Sequence, residues 1–314
     1  MQLNRRALAL GAPMALFAPG GKGKADPLSD AMVQSHPKPD SILEVGILKA
    51  EKHGDAGVPI LFIPGLAGGP WIWTDMIRRL APTHAVYVLT LSGFDGRATT
   101  TPPIIDKAVA DIARLISGNG LKKPLLVGHS LGGFIGLRLA IEHSALVGGL
   151  VTVEGFPVFP PLVEMSAEAR RTAAEGLAKQ FSPSMEGEAF RASLEMFFAA
   201  RMNDPVQARE IAAHAARSDP AAIVQYIMEM LPADLRPELG KISVPFLSIV
   251  ALNSYLNGRS EAETRAFYAG LLSNAPHVSI LLIRNARHFA MIDQPEVVGA
   301  AIEGFVDGLQ LSNS

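Results

Sequence analysis

A serine hydroxyl becomes useful for chemistry when the backbone thrusts it clear of its neighbours, and Gly128-His129-Ser130-Leu131-Gly132 has the residues for that. An apolar run, Pro124 to Gly128, precedes Ser130, and Leu131 to Glu142, with apolar residues at helical spacing, follows it. In so sharp a strand-to-helix turn a side chain at 128 or 132 would collide with the strand or helix beside it, so glycine is required there. The helix behind the serine aims backbone N–H groups and a positive dipole end at any negative charge that forms on a substrate. This is equipment for attack on an ester-like carbonyl. A hydroxyl is a weak nucleophile at neutral pH, so a base must take its proton, and histidine is suited by its pKa. Of eight histidines, His288, in Arg284-Asn285-Ala286-Arg287-His288-Phe289, follows the last strand-like run and precedes the last helix, on the carboxyl edge that also carries Ser130. His129 should point away from the nucleophile, His84 and His143 sit at element edges, and His36, His53, His214 and His277 have no matching position.

The elements that must hold these groups are legible from Ser41 onward. Six continuously apolar runs, 58–64, 85–91, 124–128, 146–153, 244–251 and 278–283, read as strands covered on both faces. Between them, 104–116, 131–142, 261–272 and 295–309 have helical spacing and enough length to cross back over a sheet. The expected fold class is therefore α/β, with a mostly parallel central sheet flanked by helices. The alternation breaks between Phe156 and Leu239, where helix-like pieces rich in Ala, Glu, Arg and Met stand without a strand, opened by Pro157, Pro160 and Pro161 and closed by Pro232 and Pro237. This segment, 156–239, is expected to be an inserted helical cap on a core formed by 41–155 and 240–311. Met165, Met185, Met196, Phe197, Phe198, Met202, Met228 and Met230 are candidates for a ligand cavity, although packing of cap helices accounts for any one of them.

Bulk composition narrows the function classes. The chain has 314 residues, 48% of them hydrophobic and 18% charged, enough for a deep core. A net charge of −2 provides no basic field for nucleic acid, and the absence of cysteine removes thiol catalysis and thiolate metal sites. No His/Asp/Glu cluster with metal spacing and no dinucleotide fingerprint is visible, so neither a metal nor another cofactor is expected. At the amino terminus, Asn4-Arg5-Arg6 precedes an apolar stretch to Ala18 and a Gly/Lys/Pro-rich run to Pro27. The apolar part is shorter than the roughly 20 residues of a membrane span, so residues 1–27 read as an export signal of twin-arginine type and the protein as periplasmic.

From about Ser41 to Leu309 the sequence resembles the α/β-hydrolase superfamily, on the strength of the Gly128–Gly132 turn, the position of His288, and Ile63-Pro64-Gly65-Leu66, which is similar to that family's loop after the third strand. The resemblance implies an α/β-hydrolase fold and an oxyanion site made by the backbone N–H groups of Leu66 and Leu131. Where the family usually has His-Gly in that loop, this chain has Pro64-Gly65. The commonest family pattern also places an aspartate after the strand corresponding to 244–251, and here the segment reads Leu252-Asn253-Ser254-Tyr255-Leu256. A smaller set of relatives takes its acid from the end of the preceding strand, which in this chain is Glu154. Glu154 is thus the expected partner of His288, fixing its tautomer, with Asn253 as the alternative orienting group. Gly65, Trp71, Phe156, Asn253 and Tyr255 are expected around the substrate. Asp95 reads as a turn residue and Asp293 as a helix cap. The resulting expectation is a serine hydrolase that cleaves a carboxylic ester of a small, largely apolar molecule through an acyl-enzyme. The competing expectation is a non-catalytic small-molecule binder on the same fold.

Overall fold

A strand sandwiched between helix layers must be largely apolar, and Ile60–Ile63 (β3), Val86–Thr90 (β4), Leu125–His129 (β5), Gly149–Val153 (β6) and Phe246–Ala251 (β7) are buried along their whole length. They stand in a computed structural model that describes residues 36–256 and 258–313. The expected export signal, residues 1–27, lies outside that range. With Val278–Ile283 (β8), which is only partly buried at one edge, these strands run parallel. Two further strands, Ser41–Val45 (β1) and Leu48–His53 (β2), form an antiparallel hairpin at the other edge, giving the order β1-β2-β4-β3-β5-β6-β7-β8. The expected strand 146–153 begins only at Gly149, because Ser144–Leu146 forms a 3-10 turn.

Helices Thr74–Leu80 (α1), Ile104–Gly118 (α2) and Leu131–Glu142 (α3) belong to the first half of the molecule. Between β6 and β7 lie Ala167–Ala178 (α4), Gly187–Ala199 (α5), Pro205–Ala215 (α6) and Pro220–Met230 (α7), with no strand among them. Two of these begin at Asp-Pro pairs: Asp204 and Asp219 accept hydrogen bonds from helical N–H groups, and proline at the first helical position has no N–H to lose. Glu261–Leu271 (α8), which starts at a Ser260/Glu263 capping box, the short Ala290–Asp293 (α9) and Pro295–Asn313 (α10) complete the chain. No helix among the described residues is long and apolar enough to cross a membrane.

The turn that carries Ser130 is packed to contact. A Cβ on Gly132 would lie 2.1 Å from the Ile63 carbonyl oxygen, and one on Gly128 would lie 2.3 Å from that of Gly132. Both distances are far inside van der Waals contact, so α3 reaches β3 only because these positions carry no side chain.

Candidate active site

Parallel pairing of β5 with β6 ends at His129 opposite Val153, so the next residues, Ser130 and Glu154, leave the sheet side by side. Both hold left-handed backbone conformations uncommon for residues with a side chain, at φ 52° and 53°. The Ser130 N–H donates to the Val153 carbonyl at 3.0 Å and that of Glu154 to Ile249 at 2.9 Å, which anchors the two strained residues to the neighbouring strands. Gly155 lies so close that a Cβ there would be 2.6 Å from Gly133 Cα.

His288 arrives from the loop between β8 and α9, with its Nδ1 3.2 Å from Glu154 Oε2. The opposite end of that carboxylate accepts the Ala251 N–H at 2.7 Å on Oε1, and the Ser254 hydroxyl donates to Oε2 at 2.6 Å. Glu154 and His288 are both buried. Burial pushes the Glu154 carboxyl up to about 8, against the lowering effect of the Ser254 and Ala251 hydrogen bonds. Burial, aided by the charge of Arg201, pushes His288 down to about 3, so the imidazole is neutral at pH 7.

The residues expected around Ser130 divide into three groups. Phe156 and Tyr255 do line the small cavity, about 40 Å³, that contains Ser130 and Glu154, together with Phe134, Phe159 and Met230. Asn253 lines an adjoining cavity of about 190 Å³ with His288, Arg201 and Arg287, and Tyr255 is common to both. Gly65 and Trp71 line neither: a Cβ on Gly65 would sit 2.6 Å from the His129 ring, and Trp71 stacks on His214 at 5.3 Å. At both positions the loop after β3 turns inward onto buried rings. The Ser130 hydroxyl makes no hydrogen bond to His288 in this arrangement; the Tyr255 ring packs against the imidazole, with centroids 5.4 Å apart. Of the Met and Phe candidates, Met230 reaches the serine cavity, whereas Met196 is 73% exposed.

Leu131 is the first residue of α3, so its N–H has no acceptor within the helix. Leu66 lies just beyond the Ile63–Gly128 strand pair, and its N–H makes no backbone hydrogen bond. Neither amide has a hydrogen-bond partner among the described residues.

Several contributors were not visible in the sequence reading. His129 does turn from the nucleophile, but its Nε2 bonds the His288 carbonyl at 3.0 Å and so fixes the loop that carries the imidazole. Asp293 caps no helix; it ends α9 and accepts the N–H groups of Arg287 at 2.7 Å and Asn203 at 2.9 Å, fastening the same loop. Ser254 lies in the segment searched for an acid, where a hydroxyl was the useful group. Its loss should be readable in a pH profile. In the expected role of Glu154 as partner of His288 the carboxyl acts ionised, so activity would rise with pH through its titration, and removing a donor that favours the ionised form raises that pKa. Ser254→Ala is expected to move the rising limb of kcat/KM to higher pH by about one unit, in line with ~1.5 kcal/mol for a hydrogen bond to a charged group. An unmoved limb with uniformly reduced kcat would assign Ser254 a merely structural part.

Residues 60–301 match the family model described as "Alpha/beta hydrolase family". The chain is 27% identical over 272 residues to the pimeloyl-[acyl-carrier protein] methyl ester esterase of Yersinia enterocolitica, covering 83% of this chain and 96% of that one. It is 26% identical over 250 residues to the enzyme of the same name from Proteus mirabilis, covering 77% and 90%. Among solved structures, an esterase from Exiguobacterium antarcticum superposes with a TM-score of 0.72 at 16% identity, covering 85% of this chain and 99% of that one. The enol-lactonase from Burkholderia xenovorans LB400 superposes with a TM-score of 0.66 at 18% identity, covering 85% and 100%. At these identities the structural likeness speaks for the fold. The family match spans most of the chain and the full-length relatives are esterases, so this protein is a hydrolase that belongs to the alpha/beta hydrolase family.

Proposed function

We propose that the protein is a serine esterase in which Ser130, His288 and Glu154 act as a triad, and that its substrate is a small ester with a short acyl group and an acidic group elsewhere in the molecule. The observation that carries the reading is the hydrogen-bonded His288–Glu154 pair buried beside Ser130 at the carboxyl edge of the sheet. Ser130 Oγ attacks the carbonyl carbon while His288 Nε2 takes its proton, and the carbonyl oxygen gathers negative charge between the Leu66 and Leu131 N–H groups. Collapse expels the alcohol, which takes the proton from Nε2. Water then loses a proton to the same nitrogen, attacks the acyl-enzyme and releases the acid. The step needs Ser130 Oγ and His288 Nε2 in contact, so a bound substrate has to displace the Tyr255 ring that lines both cavities.

The apolar lining and small volume of the serine cavity favour a short acyl chain. The adjoining cavity is of opposite character. Arg201 Nη1 donates to the Phe197 carbonyl at 2.8 Å, with its guanidinium 3.8 Å from the centre of the Phe197 ring, and Arg287 Nη1 donates to the Met202 carbonyl at 3.2 Å. Neither forms an ion pair among the described residues, although the Asp293 carboxyl feels the charge of Arg287, and the half-buried Arg201 cation, held by a neutral carbonyl, complements a carboxylate. Helices α4 to α7 would serve as a cap, since Phe159 and Met230 from that segment reach the cavity.

A panel of p-nitrophenyl esters graded by chain length tests the acyl side: acetate and butyrate should exceed decanoate in kcat/KM by at least about tenfold, the discrimination a tight apolar pocket gives. A half-ester bearing a free carboxylate tests the other side. Arg201→Leu should raise its KM by roughly tenfold or more while leaving a neutral ester of equal size unaffected. Equal effects on both substrates would remove the acidic group from the proposal. Export is part of the same reading, and a mature amino terminus near Ala25 in the periplasmic fraction is the result expected of it.

A further inference from the structure

We propose that His36, Glu51 and His53, on the opposite edge of the sheet from His288, form a binding site for a single zinc ion. Glu51 and His53 are two residues apart on β2, so their side chains leave the same face of the strand, and His36 approaches from the segment ahead of β1. His36 Nε2 lies 3.0 Å from Glu51 Oε2, and His53 Nε2 lies 4.0 Å from the same oxygen. All three ligand atoms fall within 4.8 Å of one another.

Hydrogen accounting shows why this is more than a hydrogen-bond network. The Thr74 hydroxyl has one proton and donates it to the Trp71 carbonyl at 3.0 Å, so toward His36 Nδ1, also at 3.0 Å, it can only accept. Nδ1 of His36 therefore carries a proton, and in the neutral ring Nε2 presents its lone pair to a carboxylate oxygen. His53 is buried, and its Nε2 has no hydrogen-bond partner. Three potential ligand atoms converge, one of them a buried imidazole nitrogen without a partner. A second proton on His36 would satisfy the contact with Glu51 but leave His53 Nε2 orphaned in the interior; a cation bound to all three satisfies every group.

Two imidazoles and a carboxylate are a zinc ligand set, and they disfavour calcium and magnesium, which take oxygen donors. The other ring nitrogen of His36 is tied to the Thr74 hydroxyl oxygen, the arrangement that orients metal-bound imidazoles. Lys49 occupies Glu51 Oε1 at 2.9 Å and leaves Oε2 to the metal. Zinc bonds of about 2.1 Å require the ligand atoms to close up by about an ångström. His36, on the partly exposed segment ahead of β1, is the ligand free to move in. A cavity of about 250 Å³, lined by His36, Glu51, Pro70 and Trp71 among others, leaves room for a water as fourth ligand. The ion would tie residues 36–39 to β2 and, through Thr74, to the start of α1. Its effect is therefore on stability and not on ester cleavage.

The test uses the full chain, stripped with EDTA, dialysed against zinc at neutral pH and assayed for bound metal by mass spectrometry. One zinc per chain is expected, with magnesium not retained, and a melting temperature raised by about 5 °C at zinc a hundredfold above its Kd. His36→Ala, a change at a partly exposed position, should abolish both effects while its metal-free melting and ester turnover match the unsubstituted protein. His53→Ala should also abolish binding. Absence of bound zinc in the folded protein, or zinc retained in both variants, overturns the site; the first would leave a protonated His36 paired with Glu51.

Discussion

Ser130→Ala is expected to lower kcat for a p-nitrophenyl ester by about four orders of magnitude or more, with the melting temperature unchanged within a few degrees. The size follows from the role: without Oγ no acyl-enzyme forms, and what survives is water attack assisted by the Leu66 and Leu131 amides, as when a member of such a triad is removed elsewhere. The stability expectation follows from the site. Ser130 holds its φ of 52° through backbone bonds to Val153 and Phe134, and its side chain makes no hydrogen bond that alanine would lose. His288→Ala should fall in the same range, and the double variant should be little worse than either, because the two act on one step. Measuring kcat beside thermal melting separates this from simple unfolding.

Glu154→Gln should cost about three to four orders of magnitude in kcat, against less than about tenfold for Asn253→Ala. An amide at 154 can keep its oxygen toward the Ala251 N–H, which turns its NH2 toward Ser254 and His288 Nδ1. Nδ1 must then accept, the imidazole proton moves to Nε2, and the lone pair needed by Ser130 is gone. The fold tolerates the change because the shape is conserved, so the loss is of tautomer and charge. Asn253 is mostly exposed, and its backbone N–H, bonded to the Ala286 carbonyl at 3.1 Å, is untouched by substitution. A larger loss at Asn253 than at Glu154 would reassign the orienting group.

How much of this was readable beforehand depended on where each element sits. Five strands were visible because helices cover both their faces, which leaves them largely apolar, and β8 was visible from its apolar run although it is only partly buried at the edge. The β1–β2 hairpin was not: Leu48–His53 carries Lys49, Glu51 and Lys52, and Ser41–Val45 is largely exposed, so neither presents an apolar run. The zinc ligands were hidden for the same reason, since the spacing of Glu51 and His53 has meaning only on a strand. Ser130 was legible from local chain punctuation alone, and Glu154 and His288 from chain order set against a family pattern. Local sequence could not reveal contacts made by the tertiary fold, such as His129 to the His288 carbonyl 159 residues away, or Ser254 to Glu154. Arg201 looked like any helix-end arginine until folding set it beside His288 without a carboxylate partner.

Covalent labelling by a fluorophosphonate tests the convergence of the three side chains most directly, because phosphonylation requires the hydroxyl at 130 to be activated by the imidazole at 288. Peptide mapping should find the adduct on Ser130, with labelling abolished in Ser130→Ala and reduced by orders of magnitude in His288→Ala. A folded, unsubstituted protein that resists labelling, or one labelled equally fast without His288, would contradict the account and leave the fold as that of a binding protein.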